Sequence, residues 1–184
     1  MSNNYSLEYI DTQNKVQVST IEKIYTYSFP ENERRDFNFL LELLNSDPYF
    51  NIVAVKDEQT TIGFITYWEF MKYIYIEHFA IDESYRGKGA GKFALNKFHQ
   101  IIPLPIILEV EPPTNELSKR RISFYERLNF YLWSDLHYIQ PPYRIGGESL
   151  KLILMSLGKI DLNRMFQEVV DTLYDKVYKV KALN

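Results

Sequence analysis

The first half of the chain shows two helical periodicities followed by three strand-like runs. After a short strand candidate at Ser6–Ile10, apolar residues recur at helical spacing in Val16–Ser28 and Phe37–Leu44, which predicts two amphipathic helices. Apolar and aromatic runs separated by short polar turns predict three antiparallel strands joined as hairpins. These strands are expected at Phe50–Val55, Ile62–Phe70 and Tyr73–Ile81.

The second half of the chain alternates helices with strands. The expected helices are Gly89–Ile102, Ser118–Leu128 and Asp161–Val180, and the expected strands are Ile106–Val110, Tyr131–Leu136 and Leu150–Met155. An antiparallel meander followed by strand–helix–strand units predicts an α/β fold with a mixed sheet. The final helix carries one apolar stripe, and we interpret it as a packing helix or an oligomer contact.

Composition narrows the classes of function. The chain has 184 residues, enough for one domain, and 46% of them are hydrophobic, which is ample for a core. A net charge of −3 argues against a dedicated nucleic-acid-binding protein. The sequence contains no cysteine, which excludes a disulfide framework, a thiolate zinc site and a cysteine nucleophile. The three histidines show no metal-ligand spacing. The sequence shows neither a signal peptide nor a transmembrane run, so we expect a cytoplasmic protein with no membrane partner.

A glycine-rich turn, RGKGAG at 86–91, follows the third strand of the meander and opens a helix. It does not fit the Walker pattern, because Arg86 occupies the position of the first glycine and Phe93 that of the serine or threonine. It does not fit the dinucleotide pattern either, because Lys92 occupies the position of the third glycine.

The turn nevertheless has the physical properties of an anion site. A helix begins with unpaired backbone N–H groups and partial positive charge, and glycine lets these amides approach a phosphate closely. Arg86 and Lys88 add full charges, so a diphosphate is a suitable ligand. The alternative interpretation is a tight turn that needs glycine for its backbone and whose cations are simply solvated.

Two sequence blocks resemble the GNAT superfamily of N-acetyltransferases. The stretch EHFAIDESYRGKGAGKFAL resembles the acyl-CoA-binding signature R/Q-x-x-G-x-G/A, with Arg86, Gly89 and Gly91 at the fixed positions. The stretch RRISFYERLNF is similar to the second block, A-x-x-F-Y-x-x-x-G-F, with Asn129 in place of the glycine. Asparagine tolerates the left-handed backbone that glycine provides at a helix end.

The resemblance covers roughly Ile21 to Met155 and implies a fold. That fold is a mixed, mostly antiparallel sheet flanked by helices and splayed between the fourth and fifth strands. Residues 1–158 would form the acetyltransferase domain. Residues 159–184 would be an extra C-terminal helical extension packed on the same domain.

The resemblance also implies acetyl-CoA as co-substrate, with no metal. The strand before the turn would hold the pantetheine arm through its backbone, and the turn would hold the diphosphate. Lys119 replaces an asparagine common in the family, and it lies either near the 3′-phosphate or on an ordinary solvated helix face. The cofactor-binding residues expected in this way are Phe79, Ala80, Ile81, Arg86, Gly87, Lys88, Gly89, Ala90, Gly91 and Lys119.

Tyr125 matches a family tyrosine near the CoA sulfur, where it would act as general acid to the leaving thiolate. A phenol suits that task because it can donate a proton or a hydrogen bond to developing negative charge. The alternative role for Tyr125 is core packing, since it lies on an apolar stripe with Ile122 and Leu128.

Glu77 is the candidate general base, because it is an acid within an apolar and aromatic strand. Period-two alternation places it on the face of Phe79 and Ile81, and an aromatic cleft would raise its pKa. A solvent-facing or structurally paired glutamate is the alternative. Glu109 and Glu111 are rival candidates for the base.

The resulting expectation is an N-acetyltransferase that acts on a primary amine of a small molecule or peptide. The alternative is a non-catalytic acyl-CoA-binding or regulatory protein on the same fold. The segment Tyr138–Gly147 either lines an acceptor pocket or forms an ordered surface loop. A homodimer is compatible with the sequence, and a nucleic-acid partner is not expected.

Overall fold

The computed structural model describes residues 4–144 and 146–180. The chain divides into two compact units, Met1–Leu104 and Pro105–Asn184. Ile145, within the predicted segment Tyr138–Gly147, and residues 181–184, at the end of the predicted extension, lie outside the described residues.

The described part of the first unit, residues 4–104, contains four strands and three α-helices. They are β1 Tyr5–Tyr9, α1 Lys15–Ser28, α2 Phe37–Ser46, β2 Phe50–Asp57, β3 Thr60–Glu69, β4 Ile74–Ile81 and α3 Ala90–Ile101. The four strands pair antiparallel in chain order, as the hairpin signals predict. Asn14 and Asp36 cap α1 and α2 through their side-chain oxygens, and α2 ends just before Pro48, a residue that disfavours helix at the position preceding it.

Helices cover both faces of this four-stranded sheet. The ring of Tyr25 in α1 lies 5.8 Å from that of Phe64, and the ring of Phe98 in α3 lies 4.8 Å from that of Tyr67. Phe64 and Tyr67 differ in parity along β3, so they point to opposite faces. This explains why β3 is buried without interruption from Ile62 to Trp68 and carries no polar alternation.

A bulge interrupts the pairing of β3 with β4. Thr66 pairs with His78, whereas Tyr67 pairs with Ile76, so Glu77 is an extra residue that faces no partner on β3. The hydroxyl of Thr66 accepts the backbone N–H of His78 at 3.0 Å. A bulge of this kind re-aims the side chains beside it and is common next to active sites.

The second unit is built around one long strand. Its elements are β5 Ile106–Val110, α4 Glu116–Glu126, β6 Tyr131–Leu132, β7 Tyr138–Gln140, β8 Leu150–Leu157 and α5 Leu162–Thr172. β8 pairs antiparallel with β5, β6 and β7. β7 was not predicted, and the strand expected at Tyr131–Leu136 is limited to its first two residues, β6. Both β6 and β7 are defined by their pairing with β8.

The final helix does not continue as a regular α-helix to Val180. α5 ends at Thr172 and the chain continues as a π-helical segment, Leu173–Tyr178. Lys179, with φ of 55°, then ends the helical run in the left-handed conformation.

The α/β class and the mostly antiparallel pairing are confirmed in these elements. The splay expected between the fourth and fifth strands involves strands of different units and stays a prediction, as does the division at residue 158. Within the part of the chain that is described, no helix is long and apolar enough to cross a membrane.

Candidate active site

The glycine-rich turn keeps the backbone geometry that an anion site requires. Gly87 and Gly89 have φ values of 76° and 90°, which side chains with a Cβ rarely adopt. Gly89 is the N-cap of α3 and supplies no capping side chain, so the first amides of α3 remain available to a ligand. A Cβ at either glycine would meet no heavy atom within 4 Å, so backbone conformation, and not crowding, accounts for glycine here.

The two cationic side chains of the turn donate hydrogen bonds to backbone carbonyls. Arg86 Nε donates to the carbonyl of Ile81 at 2.9 Å, and Lys88 Nζ donates to the carbonyl of Ser84 at 2.8 Å. Lys88 also lies 5.3 Å from the centroid of the Tyr85 ring, within cation–π range. Both positive charges are therefore held against residues 81–85, the segment that precedes the turn.

A cavity of about 960 Å³ lies beside the turn within the first unit. Its volume is in the range of small-molecule and cofactor sites. Tyr27 Oη donates to Glu83 Oε2 at 3.2 Å, which links α1 to the segment that precedes the turn. The cavity is lined by Glu22, Lys23, Ile24, Thr26, Tyr27, Ser28, Asp82, Glu83, Ser84 and Arg86.

β4 ends at Ile81, and residues 82–85 connect it to the turn. Ala80 and Ile81 are buried and Phe79 is half-buried, and the three pair with Phe64, Gly63 and Ile65 of β3. A Cβ on Gly63 would lie 2.5 Å from the carbonyl oxygen of Ala80. Gly63 thus permits a close approach of β3 to β4, a role that we did not predict.

Glu77 lies in a buried ion pair. Arg35 Nε donates to Glu77 Oε1 at 2.8 Å, and Trp68 Nε1 donates to Glu77 Oε2 at 2.7 Å. Burial by itself would raise the pKa of Glu77, but the charge of Arg35 and these hydrogen bonds lower it below the ordinary 4.5. The expected rise in pKa is therefore wrong, and Glu77 is paired, whereas its role as general base stays a prediction.

The bulge also changes the direction of Glu77. Glu77 contacts Arg35, and the next residue, His78, contacts the carbonyl oxygen of Glu33 at 3.1 Å through Nε2. Two successive side chains of β4 therefore reach the same segment between α1 and α2, which the simple alternation did not predict.

His78 is buried and neutral. Its Nε2 faces a carbonyl oxygen, which can only accept, so Nε2 carries the proton and Nδ1 faces the Thr66 hydroxyl at 3.3 Å. Burial lowers the pKa of His78, against the opposing charge of Glu77. Its ring packs edge-on between those of Tyr25 and Phe29. The roles of Arg35 and His78 were not predicted, although an acid in an apolar strand does call for a cationic partner.

Tyr125 is buried on α4, in the second unit. Its ring centroid lies 5.2 Å from that of Phe124 and 5.3 Å from that of Phe130. Burial raises the pKa of Tyr125 to about 12, against the charge of Arg121. The phenol therefore keeps its proton at neutral pH. A protonated phenol fits both roles considered for Tyr125, hydrogen-bond donor to the thiolate and side chain of the core.

The rival acids and Lys119 have clear partners. Glu111 pairs with Arg121, and both oxygens of Glu109 accept from Tyr178 Oη. Lys119 Nζ lies 2.9 Å from an oxygen of Glu116 on the same exposed face of α4. Asn129 adopts a φ of 66°, which confirms the expected left-handed residue after α4. Among the residues described, no cluster of three His, Asp or Glu side chains has the geometry to hold a metal ion.

Comparison with known proteins identifies the relatives of this chain. The family model for the GNAT acetyltransferases matches residues 17–130. No curated protein sequence gives a significant match. Among solved structures, a Bacteroides thetaiotaomicron protein assigned to the GNAT acetyltransferases is 36% identical and has a TM-score of 0.91, over 96% of this chain and 99% of its own.

Two more distant structures share the fold. One is Naa50 of Arabidopsis thaliana in complex with the bisubstrate analogue CoA-Ac-MVNAL, at 20% identity, a TM-score of 0.59, and coverage of 84% of this chain and 99% of that one. The other is an aminoglycoside 6′-N-acetyltransferase with coenzyme A, at 16% identity, a TM-score of 0.60, and coverage of 85% and 99%. The family match and the similarity to the Bacteroides protein show that this chain belongs to the GNAT family of acetyltransferases.

Proposed function

We propose that the protein transfers the acetyl group of acetyl-CoA to a primary amine of a small molecule or peptide, by direct transfer. The observation that carries the proposal is the turn Arg86–Gly91, in which two left-handed glycines open α3 without a capping side chain. Solved relatives hold a CoA–peptide analogue in one case and coenzyme A on an aminoglycoside enzyme in another, which supports an amine acceptor.

The cofactor would be held mainly by backbone groups. The amides of the turn bind the diphosphate, with Arg86 and Lys88 adding positive charge. The backbone of Phe79, Ala80 and Ile81 binds the pantetheine arm. Lys119 adds charge for the 3′-phosphate, which requires it to exchange its partner Glu116 for the ligand.

Transfer requires the neutral amine to attack the thioester carbonyl. The carbon–nitrogen bond forms, the carbon–sulfur bond breaks, and the departing thiolate takes a proton. Tyr125 is proposed to donate that proton or a hydrogen bond, since its phenol remains protonated at neutral pH. Much of the rate would come from holding the two substrates together.

The ammonium group of the acetyl acceptor must first lose a proton. The residues proposed to take that proton are Glu77, Glu109 and Glu111. The ion pair with Arg35 lowers the pKa of Glu77, which works against this role. Each Glu→Gln variant would be compared by its pH–rate profile. The base is the carboxylate whose replacement removes the acidic limb of the profile while CoA affinity is kept.

The proposal is tested by incubating the full chain with acetyl-CoA and a panel of amines, and by measuring released CoA. Panel members would include a diamine, an aminoglycoside, amino acids and a short peptide. We expect CoA release that depends on one class of amine and a matching acetylated product. Binding of acetyl-CoA without amine-dependent release would contradict the proposal and favour the non-catalytic acyl-CoA-binding alternative. The cytoplasmic location and the homodimer stay predictions.

A further inference from the structure

Glycine at position 63 is required by a close contact, and not by its backbone conformation. Gly63 is buried in β3, and its φ lies outside the positive range that Gly87 and Gly89 adopt. A Cβ there would lie 2.5 Å from the carbonyl oxygen of Ala80 and 2.6 Å from Cδ1 of Ile81. Because Cβ atoms essentially never come within 3.0 Å of another heavy atom, the backbone of Ala80 would have to move away by about 0.5 Å or more.

The end of β4 has little room to absorb such a contact. Ile81 is buried in a cluster with residues of β2, β3 and α3, namely Val55, Ile62, Ala90 and Ala94. Protein interiors are close-packed, so the side chain of Ile81 cannot turn freely away from a Cβ at position 63. Turning it would also leave the contact with the carbonyl oxygen of Ala80 unchanged. The contact would therefore be relieved by a shift of the backbone of β4.

The backbone groups of β4 face two different edges of the strand. The backbone N–H of Asp82 donates to the carbonyl oxygen of Ile62 at 2.8 Å, so the backbone groups of Asp82 and, two residues earlier, of Ala80 face β3. Those of Phe79 and Ile81 face the edge away from β3, because consecutive residues of a strand direct their N–H and C=O groups to opposite edges. A shift of Ala80 away from β3 would displace these outward-facing groups with it.

We propose that Gly63 is a positioning residue for the pantetheine arm of CoA. It lets β3 lie against the carbonyl of Ala80, and it thereby sets the place of the outward-facing backbone groups of Phe79 and Ile81. This inference rests on the proposed function, in which the backbone of β4 binds the arm. Hydrogen bonds weaken as their geometry is distorted, so a displacement of about 0.5 Å would weaken the contacts with the arm. Gly63 acts through the backbone of β4 and does not itself touch the cofactor.

The test compares CoA with 3′-phosphoadenosine 5′-diphosphate, the part of CoA that lacks the pantetheine arm. The affinity of the full chain for each probe is measured by calorimetry, and the ratio of the two affinities reports on the arm. We expect the parent to bind CoA more tightly. Gly63→Ala should lower the ratio about tenfold or more, with little change in affinity for the nucleotide, because the glycines of the turn are unchanged. Ile52→Val, at a buried position of β2, controls for lost stability and should keep the ratio.

A matched pair of variants at Asp82 tests the same contact without altering Gly63. Asp82→Pro removes the N–H that donates to Ile62, and the φ of −49° at this position lies close to the range of proline. Asp82→Ala keeps that N–H and, like Asp82→Pro, removes the carboxylate that accepts from Ser84. We expect a lower ratio for Asp82→Pro than for Asp82→Ala. This pair provides the test if Gly63→Ala does not fold.

A ratio equal to the parent's in folded Gly63→Ala would overturn the positioning role, as would equal ratios in folded Asp82→Pro and Asp82→Ala. If Gly63 only stabilises the sheet, Gly63→Ala lowers the midpoint of urea unfolding and leaves the ratio unchanged. A parent that binds both probes equally would also overturn the inference. Failure of the parent to bind CoA contradicts the proposed function itself, whereas CoA binding with a ratio that the variants leave unchanged contradicts the positioning role alone.

Discussion

Arg35 and Glu77 form an ion pair of 2.8 Å in which the side chains are only 6% and 0% exposed. The pair joins the segment between α1 and α2 to the bulge of β4. The backbone N–H of Arg35 also donates to Tyr25 Oη at 2.8 Å, so that one residue links the segment to both α1 and the sheet.

Removing only one partner of this pair should be strongly destabilising. Arg35→Met leaves the carboxylate of Glu77 buried without its cation, and we expect a loss of about 3–5 kcal/mol in the free energy of unfolding. Urea unfolding of Arg35→Met, Glu77→Met and the double variant measures the coupling. We expect the double variant to lose much less than the sum of the single losses. Additive losses would contradict a coupled pair.

Stability should fall in two steps as the pH decreases. The pKa of His78 is lowered from 6.5 in the folded protein. Below that pH, His78 takes up a proton in the unfolded chain but not in the folded chain, so stability falls. The pKa of Glu77 is lowered from 4.5, so its contribution is complete above that pH and is lost as the pH falls toward the folded pKa. Urea midpoints measured across this range should be flatter near pH 6 for His78→Gln and flatter below pH 4.5 for Glu77→Gln. Slopes identical to the parent's would contradict these assignments.

Gly89→Asp should weaken CoA binding. The substitution places a carboxylate at the start of α3 and forces a side chain into a φ of 90°, which costs about 1–2 kcal/mol in backbone strain. Gly146→Asp is the matched control, because Gly146 has a φ of 79° and equally open surroundings but lies outside the turn. By calorimetry, we expect several-fold to much larger loss of CoA affinity for Gly89→Asp alone. Equal affinity in both folded variants would show that the turn does not bind the diphosphate.

Tyr125→Phe should lower turnover while leaving stability near that of the parent. If the phenol assists the leaving thiolate, the rate should fall about 10²–10⁴-fold, the usual range for general-acid catalysis. The loss should be smaller for an artificial thioester with a better leaving group. Tyr131→Phe, at a position that is 62% exposed, is the control and should keep its rate. If Tyr125→Phe keeps the rate of the parent, Tyr125 only packs in the core and does not assist the leaving thiolate.

Local signals were sufficient to predict the glycine-rich turn and most elements. The glycines, the cations and the start of α3 lie within a few residues of one another, so their geometry follows from local backbone preferences. The helices were predictable because their apolar periodicity is contained within each segment.

Long-range partners explain what the sequence did not show. The pKa of Glu77 depends on Arg35, 42 residues earlier, and the existence of β7 depends on β8. Over the short segment Leu173–Tyr178, the spacing of apolar residues is the same for a π-helix as for an α-helix. Periodicity therefore did not distinguish the two kinds of helix.

The bulge at Glu77 leaves the two halves of β4 in the register they would have without it. Ile76 pairs with Tyr67 and His78 with Thr66, which are consecutive residues of β3, so Ile76 and His78 already face opposite layers of helices. Deleting Glu77 would therefore join the two halves into one continuous ladder without turning either half to the other face. Such a deletion would remove the carboxylate that pairs with Arg35, so we expect relatives without the bulge to lack a buried cation at position 35 as well.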